Sequence, residues 1–383
     1  MTPEARIQAA ADLLDAVVHD GQSAEQALTR WARGNRYAGS KDRAAIRDLV
    51  FDALRRKRSC AALGGGEGGR ALMIGALRAE GRDPEAVFTG AGYAPAPLTD
   101  AEREGGRDPN AAEARDLPDW LWPEFQASLG DAAEAEARLL RDRADVFVRV
   151  NLLKANRDQA QAALAEEAIT TVPHPLSPTA LRVTEGARRL HLGAAYQQGL
   201  VELQDAASQA VVDALDLAPG LRALDYCAGG GGKALAIAAL TGGPVVAHDI
   251  DPARMSDIPA RAARAGARID IARPPEGTFD LVFCDAPCSG SGSWRRAPEA
   301  KWRLTPERLA ELVAMQDEVL DTACHFVAPG GALAYATCSL LSCENEARVQ
   351  AFVSRNPGWR QVSEQRFSLA DGADGFFLSV LRR

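Results

Sequence analysis

Residues 224–234 read LDYCAGGGGKA, and this stretch decides the fold class of the second half of the chain. It joins a short apolar strand to a helix through four consecutive glycines. Backbone N–H groups exposed at a helix start attract an anionic ligand group, and glycine lets the backbone approach that ligand closely. An ordinary strand-to-helix turn is the alternative, but four glycines exceed its needs. We therefore expect a cofactor site at this turn.

The segments around the glycine loop alternate between short apolar strands and helices. The strand-like runs are RALDY, PVVAH, FDLVFCD and ALAYAT, and GFFLSVLRR at the end of the chain adds a further candidate strand. This alternation is typical of a parallel sheet with helices on both faces. It predicts a doubly wound, Rossmann-like, mostly parallel α/β domain over residues 204–383.

Two further patterns precede residue 204. Residues 1–140 show apolar positions at helical spacing, interrupted by GGGEGG and by a polar, proline-rich stretch at 95–115 that reads as a linker or long loop. Residues 141–203 combine a helical stretch with two short strand patterns, VFVRVN and ALRV. We predict an all-α domain over 1–140, followed by a small α+β subdomain over 141–203.

Composition narrows the setting of the protein. The chain has 383 residues, a net charge of −8 and seven cysteines, with no uninterrupted apolar stretch near the ~18 residues of a membrane span. An odd, thinly spread set of cysteines does not suggest a disulfide framework. We expect a cytoplasmic, monomeric protein with reduced thiols and no membrane or metal partner. The charge is uneven, because residues 30–58 carry ten Lys or Arg against three Asp.

The glycine loop narrows the class of cofactor. A nucleotide-hydrolysing Walker loop is excluded twice, because Cys227 replaces its first glycine and Ala234 replaces the Ser or Thr that binds magnesium. Gly229, Gly231 and Ala234 instead fit G-x-G-x-x-A, and Asp249 follows where an acid binds a ribose. The loop alone leaves NAD and S-adenosylmethionine as candidates.

Two cysteines occupy similar places in the predicted sheet. Cys288 lies in CDAPCSGSG, residues 284–292, and Cys338 lies in YATCS, residues 335–339. Each follows the carboxyl end of a parallel strand, which is where open α/β sheets bind ligands. We expect the two strands to be neighbours and the thiols to converge. Core packing is one alternative, and a zinc site that also uses Cys284 and Cys343 is a weaker one.

The motifs DYCAGGGGK, DAPCSGSGSWRRAPEAKW and YATCSLLSCENE, in this order, resemble those of bacterial RsmB-type ribosomal RNA cytosine-5 methyltransferases that act on small-subunit RNA. The resemblance covers residues 146–383. Residues 1–140 resemble more loosely the NusB-type RNA-binding domain of such enzymes. The resemblance of the three motifs implies methyl transfer from S-adenosylmethionine to a cytosine in RNA, with 16S ribosomal RNA as the expected substrate.

The resemblance also implies roles for individual residues. Cys338 is the expected nucleophile, Cys288 assists release of the enzyme, and Asp285 holds the cytosine edge or the cofactor. The implied cofactor-binding residues are Cys227, Ala228, Gly229, Gly230, Gly231, Gly232, Lys233, Asp249, Arg254 and Asp285. Arg254 reads equally well as a solvated helix residue. The chain departs from the family in two places. Gly229 and Gly230 stand where Ala-Pro is usual. In the family's third cofactor motif, here ARIDIARPPEG at residues 267–277, only Asp270 substitutes for a Gly-Asp pair.

Cationic and aromatic residues mark candidate RNA contacts. The segment SWRRAPEAKWR, residues 293–303, sets cations between two tryptophans, a combination that suits a splayed RNA strand. A loop anchored by its tryptophans is the alternative, as a solvated helix face is for residues 30–58. The predicted RNA-binding residues are Arg295, Arg296, Lys301, Trp302, Arg55, Arg56, Lys57 and Arg58.

Other functions stay open on the sequence alone. An NAD-dependent oxidoreductase would use the glycine loop but would leave the two cysteines unexplained. A transfer RNA methyltransferase would use the same residues on another substrate. A non-catalytic RNA-binding assembly factor is suggested by the altered third cofactor motif, although both cysteines are present.

Overall fold

The structure is a computed structural model that describes all 383 residues. The chain forms two compact units, which we call the helical unit and the sheet unit. The helical unit comprises Met1–Gln126, Gly130–Arg143 and Trp294–Arg303. The sheet unit comprises Ala127–Leu129, Ala144–Ser293 and Leu304–Arg383. The sequence assigns residues 294–303 to the domain at 204–383, whereas the structure packs them within the helical unit.

Helices occupy most of the first 140 residues and also separate the later strands. They are α1 Pro3–Val18, α2 Ala24–Gly34, α3 Ser40–Arg55, α4 Lys57–Gly64, α5 Gly69–Ala79, α6 Asp100–Glu104, α7 Ala111–Ala114, α8 Trp122–Leu129, α9 Ala133–Leu139, α10 Arg157–Glu166, α11 Ala194–Gln197, α12 Ala206–Asp213, α13 Gly232–Thr241, α14 Ile258–Ala265, α15 Pro298–Arg303, α16 Pro306–Ala323 and α17 Glu346–Arg355. The predicted helical stretches before residue 60 are confirmed as α1, α2 and α3.

Strands begin only after residue 145. They are β1 Val146–Val150, β2 Thr170–Pro173, β3 Ala180–Glu185, β4 Val201–Leu203, β5 Ala223–Asp225, β6 Val245–Ala247, β7 Ile269–Ile271, β8 Phe279–Asp285, β9 Val327–Thr337, β10 Arg360–Phe367 and β11 Phe376–Arg382. β1 to β4 form an antiparallel sheet in the order β2-β3-β1-β4. The strands predicted from VFVRVN and ALRV are its β1 and β3.

In the helical unit, α1, α3, α4 and α5 enclose an apolar core. Glycine makes the tightest contact possible, since a Cβ on Gly75 of α5 would lie 1.8 Å from the carbonyl oxygen of Cys60 in α4. The stretch at 95–115 packs onto this core. Arg78 donates hydrogen bonds to the carbonyl oxygens of Leu63, Glu102 and Gly105. Of the two predicted alternatives, a linker or a long loop, the stretch is therefore the long loop, docked on the core and containing two short helices.

The seven-stranded sheet positions the site. Its order is β10-β11-β9-β8-β5-β6-β7, and the five strands from β9 to β7 run parallel. The chain winds outward from β5 to β7 and then returns to β8 on the other side of β5. This reversal makes the carboxyl ends of β5 and β8 the place where an open α/β sheet binds its ligand. The predicted mostly parallel α/β domain is confirmed.

Candidate active site

Three loops meet at the carboxyl edge of the parallel strands. β5 pairs with β8 so that Asp225 lies opposite Phe283, and β8 pairs with β9 so that Asp285 lies opposite Ala336. Each strand is buried, so its side chains are fixed by packing on both faces. The loops that follow carry the glycines, Cys288 and Cys338. The predicted adjacency of the two cysteine-bearing strands is confirmed.

The glycine loop has a backbone that only glycine adopts readily. Gly229 and Gly231 have φ of +48° and +79°, in the left-handed region. A Cβ on Gly231 would lie 2.8 Å from the Cγ1 atom of Ile258. The loop then enters α13 at Gly232, so its N–H groups are exposed at a helix start. Gly229 and Gly230, which stand where the family usually has Ala-Pro, thus belong to a loop of defined shape.

Asp249 is tied to the glycine loop. Its carboxylate accepts hydrogen bonds from the backbone N–H groups of Gly229, at 2.9 Å, and Asp251, at 3.0 Å. The guanidinium of Arg254 lies 3.1 Å from the same carboxylate, with about half of its side chain exposed. The structure therefore brings Asp249 and Arg254 to the cofactor loop, as the sequence predicted.

Asp225 is a site residue that the sequence analysis missed. It ends β5, is 1% exposed, and neither of its carboxyl oxygens has a hydrogen-bond partner. Burial, reinforced by the nearby charge of Asp285, raises the pKa of Asp225 to about 7 although Lys233 opposes the shift. The signal was present, because an acid stands at the end of the first parallel strand, immediately before the glycine loop.

Lys233 and Asp285 form an ion pair beside the cysteines. The Nζ atom of Lys233 lies 2.5 Å from Oδ2 of Asp285, and it also lies 5.0 Å from the ring centroid of Phe376. Burial alone would lower the pKa of Lys233, but Asp285, Cys338 and Asp225 outweigh burial and raise it. A cation is thereby fixed at the base of the site, next to a partly exposed carboxylate.

The two predicted thiols converge. The Sγ atoms of Cys288 and Cys338 are 3.4 Å apart, and both side chains are partly exposed. The hydrogen bond to Cys338, followed by burial and the charges of Cys338, Glu344 and Asp285, raises the pKa of Cys288 well above its ordinary value. The contact with Cys338 is thus the main reason that Cys288 holds its proton more tightly than a free thiol.

The remaining cysteines near this edge do not join the pair. Cys284 is fully buried within β8, and burial raises its pKa well above the ordinary value. Burial and the surrounding carboxylates do the same for Cys227. No group of three or more His, Cys, Asp or Glu side chains is arranged to hold a metal ion. All seven cysteines are free.

Several predicted RNA contacts are instead buried within the helical unit. Lys301 has no exposed surface, and its Nζ donates to the carbonyl oxygen of Arg55 at 3.1 Å. Arg55 is 5% exposed, and its Nε donates to the carbonyl oxygen of Arg295, which is itself buried. The prediction that Arg55, Arg295 and Lys301 contact RNA is wrong. The side chains of Lys301 and Arg55 satisfy buried carbonyl groups, as buried backbone groups require.

The tryptophans explain this burial. Trp294 is fully buried and stacks against Phe125 with centroids 6.4 Å apart, and the indole N–H of Trp302 donates to the carbonyl oxygen of Leu54 at 2.6 Å. The alternative of a segment anchored by its tryptophans is therefore the observed one. Arg296 and Arg303 are the exposed cations of this segment.

The other predicted residues occupy mixed positions. Arg56 and Lys57 are partly exposed, and Arg58 is paired with Asp119 at 2.6 Å. Asp270 is the middle residue of β7 and not at its carboxyl end, so it does not stand where the sheet would place a cofactor contact. None of the helices is both long and apolar enough to span a bilayer.

Comparison with known families gives the identity of this architecture. Residues 212–380 match the family model described as 16S rRNA methyltransferase RsmB/F, and residues 117–188 match the ferredoxin-like domain of RsmF/B-like methyltransferases. The chain is 34% identical over 289 residues to ribosomal RNA small subunit methyltransferase B of Citrobacter koseri, with 70% of this chain and 67% of that protein covered. The chain belongs to the RsmB/F methyltransferase family.

A second relative agrees with this membership, and two solved structures share the fold. The RsmB/F-family chain is 32% identical over 291 residues to the methyltransferase B of Escherichia coli strain 536, covering 71% of this chain and 68% of that one. Its fold is that of PH0851, with a TM-score of 0.81, 23% identity and 100% and 99% coverage. NSun6 from Pyrococcus horikoshii with SFG gives a TM-score of 0.62 at 18% identity, covering 69% and 98%.

Family membership decides between the open alternatives for the cofactor. An RsmB/F-family protein is an S-adenosylmethionine-dependent RNA methyltransferase, so the glycine loop is not that of an NAD-dependent oxidoreductase. The residues present fit this cofactor. The N–H groups of the glycine loop are exposed at the start of α13, and the unpartnered carboxyl group of Asp225 lies at the same loop. The ferredoxin-like match begins before the predicted boundary at residue 140.

Proposed function

We propose that this protein methylates C5 of a cytosine in RNA, with 16S ribosomal RNA as its substrate. The observation that carries the proposal is the 3.4 Å contact between Cys288 and Cys338 at the ends of two adjacent parallel strands. Cytosine C5 is too weak a nucleophile to accept a methyl group directly, and thiolate addition at C6 removes that obstacle. A second group must later take the C5 proton. Two thiols in contact supply both functions.

The cofactor site that we propose is the glycine loop with Asp249, Arg254 and Asp225. S-adenosylmethionine, when bound, supplies an electrophilic methyl group on a positively charged sulfur. Backbone N–H groups of residues 227–233 suit its carboxylate, and Asp249 suits its ribose hydroxyls. Asp225 offers a buried carboxyl group for a cationic part of the ligand, since a buried carboxylate needs a partner of opposite charge.

In the proposed reaction Cys338 attacks first. A bond forms between its Sγ atom and C6 of the cytosine, and the C5–C6 double bond yields its electrons toward the ring. C5 becomes nucleophilic and forms a bond to the methyl carbon. The bond between that carbon and the cofactor's positively charged sulfur would break, and its electron pair would stay on the sulfur of the departing neutral thioether. The ion pair of Lys233 and Asp285 lies beside the sulfur and stabilises charge that builds on the ring, because fixed charges in a buried site need no reorganisation.

Cys288 then releases the enzyme. The hydrogen bond to Cys338 is the first cause of the raised pKa of Cys288, and a thioether sulfur is a weaker acceptor, so this cause weakens once Cys338 is bonded to C6. Cys288 can lose its proton at this stage and act as the base. It takes the C5 proton, the C5–H electrons restore the C5–C6 double bond, and the bond between C6 and Cys338 breaks to return a thiolate.

We place RNA contacts on cations of the helical unit that remain accessible. Arg56, Lys57 and Arg296 are the candidates kept from the sequence. Arg56 also lines a cavity of about 420 Å³, together with Asp52, Arg138, Arg141, Asp142 and Arg143. Guanidinium groups pair with phosphate oxygens through two parallel hydrogen bonds. The cavity therefore adds three arginines that the sequence analysis did not select.

Bisulfite mapping of RNA from a deletion strain tests the proposal. We expect one cytosine of 16S ribosomal RNA to lose its C5 methyl group, and the wild-type gene but not the Cys338→Ala gene to restore it. Loss of a methyl group from transfer RNA instead would change the substrate. Unchanged methylation of all RNA would favour the non-catalytic assembly factor, which the altered third cofactor motif suggests.

A further inference from the structure

The loops that carry the two cysteines converge on one buried carboxylate, that of Glu344. Glu344 has no exposed surface. Its Oε1 accepts hydrogen bonds from the backbone N–H of Ser289, at 2.7 Å, and from Nε2 of Gln316, at 3.0 Å. Its Oε2 accepts from the hydroxyl groups of Ser289 and Ser339. Ser289 follows Cys288 and Ser339 follows Cys338, so one carboxylate holds the immediate neighbours of both thiols.

Further hydrogen bonds make this junction rigid. The hydroxyl of Ser291 lies 3.1 Å from that of Ser339 and accepts from the backbone N–H of Leu340 at 2.8 Å. Gln316 of α16 also donates to the carbonyl oxygen of Pro287 at 2.8 Å. The hydroxyl of Tyr335 donates to the carbonyl oxygen of Glu344 at 2.6 Å. These hydrogen bonds tie α16, β9 and both cysteine loops to one buried carboxylate.

We propose that Glu344 is the positioning residue of the cysteine pair, because it holds the loop of each thiol, and that its negative charge acts on the sulfur of Cys288. The inference rests on the proposed function, because it assigns a role within the same two-thiol reaction. Geometry and charge are separate parts of the role. The hydrogen bonds set the distance between the sulfurs, and the charge favours the protonated form of Cys288.

The charge argument follows from the groups that surround Cys288. They are Cys338 at the end of β9, Asp285 at the end of β8, Tyr335 within β9, and Glu344. Arg348 and Asp317 lie beyond Tyr335 and act on its hydroxyl. The hydrogen bond to Cys338 is the first cause of the raised pKa of Cys288, and the negative charge of Glu344 adds to it.

The charge of Glu344 serves the release step of the proposed reaction. Two thiols in contact lose their protons one at a time. The charge of Glu344 opposes loss of the Cys288 proton before attack. After attack, the same charge makes Cys288 a stronger base for the C5 proton.

Glu344→Gln separates charge from geometry. A glutamine keeps the shape, and the hydroxyls of Ser289 and Ser339 can turn to accept from its NH2 group where they now donate to Oε2. The matched control is Glu346→Gln, two residues away, because Glu346 pairs with Arg366 and not with the cysteine loops. Thermal melting and S-adenosylmethionine binding report whether each variant is folded.

The first readout is alkylation of Cys288 by iodoacetamide in a Cys338→Ser background. We expect Glu344→Gln to shift the pH of half-maximal alkylation downward and Glu346→Gln to leave it in place. The second readout is turnover with RNA. Glu344→Gln should reduce methylation by roughly tenfold and increase the fraction of enzyme trapped as a covalent RNA adduct, because a weaker base removes the C5 proton more slowly.

The outcomes distinguish this inference from the proposed function. An unshifted alkylation profile with normal turnover in folded Glu344→Gln overturns the role of Glu344. Failure of Cys288→Ala to trap any adduct overturns the two-thiol reaction itself. If Glu344→Gln does not fold, Glu344→Asp decides, since it keeps the charge and moves the acceptor. It should leave the alkylation profile in place and slow adduct formation, and unchanged adduct formation would contradict positioning.

Discussion

Residues 284–292 and residues 294–303 follow one another in the sequence and use polar side chains in opposite ways. The first segment presents Cys288 and holds it by a buried hydroxyl and carboxylate network in the sheet unit. The second segment buries Lys301 and Arg295 in the helical unit. Closeness in sequence to a reactive thiol therefore does not make a cation a substrate contact. Burial and hydrogen-bond partners decide which role a polar side chain has.

The largest expected effect tests the first segment. Cys338→Ala removes the attacking atom, so we expect methylation to fall by a factor of roughly a thousand or more, with no covalent adduct. Cys288→Ala leaves attack intact and should accumulate a protein–RNA complex that survives a denaturing gel. The double variant should form none.

Reversed behaviour of the two variants would exchange their roles. Adduct accumulation in Cys338→Ala would make Cys288 the nucleophile. Full activity of both variants, with no adduct, would return the pair to core packing. Cys284→Ala is the control. Cys284 lies within β8, the strand that precedes Cys288, and it is fully buried. Its substitution should therefore lower stability more than it changes catalysis.

The second segment is tested by Lys301. Lys301→Glu places a negative charge in a buried site near Asp116, and we expect it to destabilise the helical unit by about 3 to 5 kcal/mol. An RNA contact would predict the opposite pattern, with lower RNA affinity and an unchanged melting temperature. Melting of the full chain and RNA binding at low temperature separate the two.

Lys301 also predicts a pH dependence. Burial lowers the pKa of Lys301 to about 7, whereas in the unfolded chain it is near 10.4. Between these values the unfolded chain binds more protons, so stability should rise with pH from about 7 to 10. Lys301→Met should flatten that rise. A rise that persists in Lys301→Met would assign it to other groups.

Asp225 gives a smaller and more specific effect at the glycine loop. We expect Asp225→Asn to weaken S-adenosylmethionine binding by roughly tenfold, because a charged partner for the cationic ligand is lost. In the wild type, affinity should rise with pH through about 7, as Asp225 ionises, and the variant should show no such rise. Calorimetric titration between pH 6 and 8 measures both.

The folding stability of the ligand-free protein should depend on pH with the opposite sign to the ligand affinity, because of the same carboxyl group of Asp225. Its pKa is raised in the folded protein, so between pH 4 and 7 the folded state holds a proton that the unfolded state has lost. Stability of the ligand-free protein should fall as pH rises through this window. Asp225→Asn should remove that fall, and an equal fall in the variant would contradict the assignment.

The smallest expected effects lie on the accessible cations. Charge reversal of Lys57 should weaken RNA binding several-fold and lower the slope of log affinity against log salt by about 0.7 to 0.9. Arg143→Glu should do the same if the arginine-lined cavity binds phosphate. Arg82→Glu is the control, since Arg82 lies outside that cavity and pairs with Glu80. Cofactor affinity should stay constant in all three.

The sheet and the convergence of the cysteines could be predicted because strand order follows from local patterns. Long apolar runs identify β8 and β9, and parallel strands bring their carboxyl ends together. β10 was missed because its residues are polar and almost wholly exposed, as on an edge strand. β2 and β4 were missed because they span only four and three residues.

The site was predicted where a motif names the residue and missed where tertiary contacts decide. Glu344 appears in the sequence as one acid among several in SCENE, and only the folded structure shows that both cysteine loops bind it. Asp225 is read as a strand residue until its unpartnered carboxyl group is seen. Lys301 is read as a surface cation because sequence does not show that its nitrogen reaches the carbonyl of Arg55.

The ten residues at 294–303 have a consequence for dividing the gene. The helical unit is discontinuous, since Trp294, Lys301 and Trp302 fill its interior from a position 150 residues downstream of its other parts. A gene fragment ending at residue 143 would encode the helical unit without residues 294–303. The carbonyl groups of Leu54 and Arg55 would then lose their hydrogen-bond donors. A fragment beginning at residue 204 would expose a tryptophan and a lysine that evolved for the interior. Neither half is a transferable module, and domain exchange between relatives must carry both pieces together.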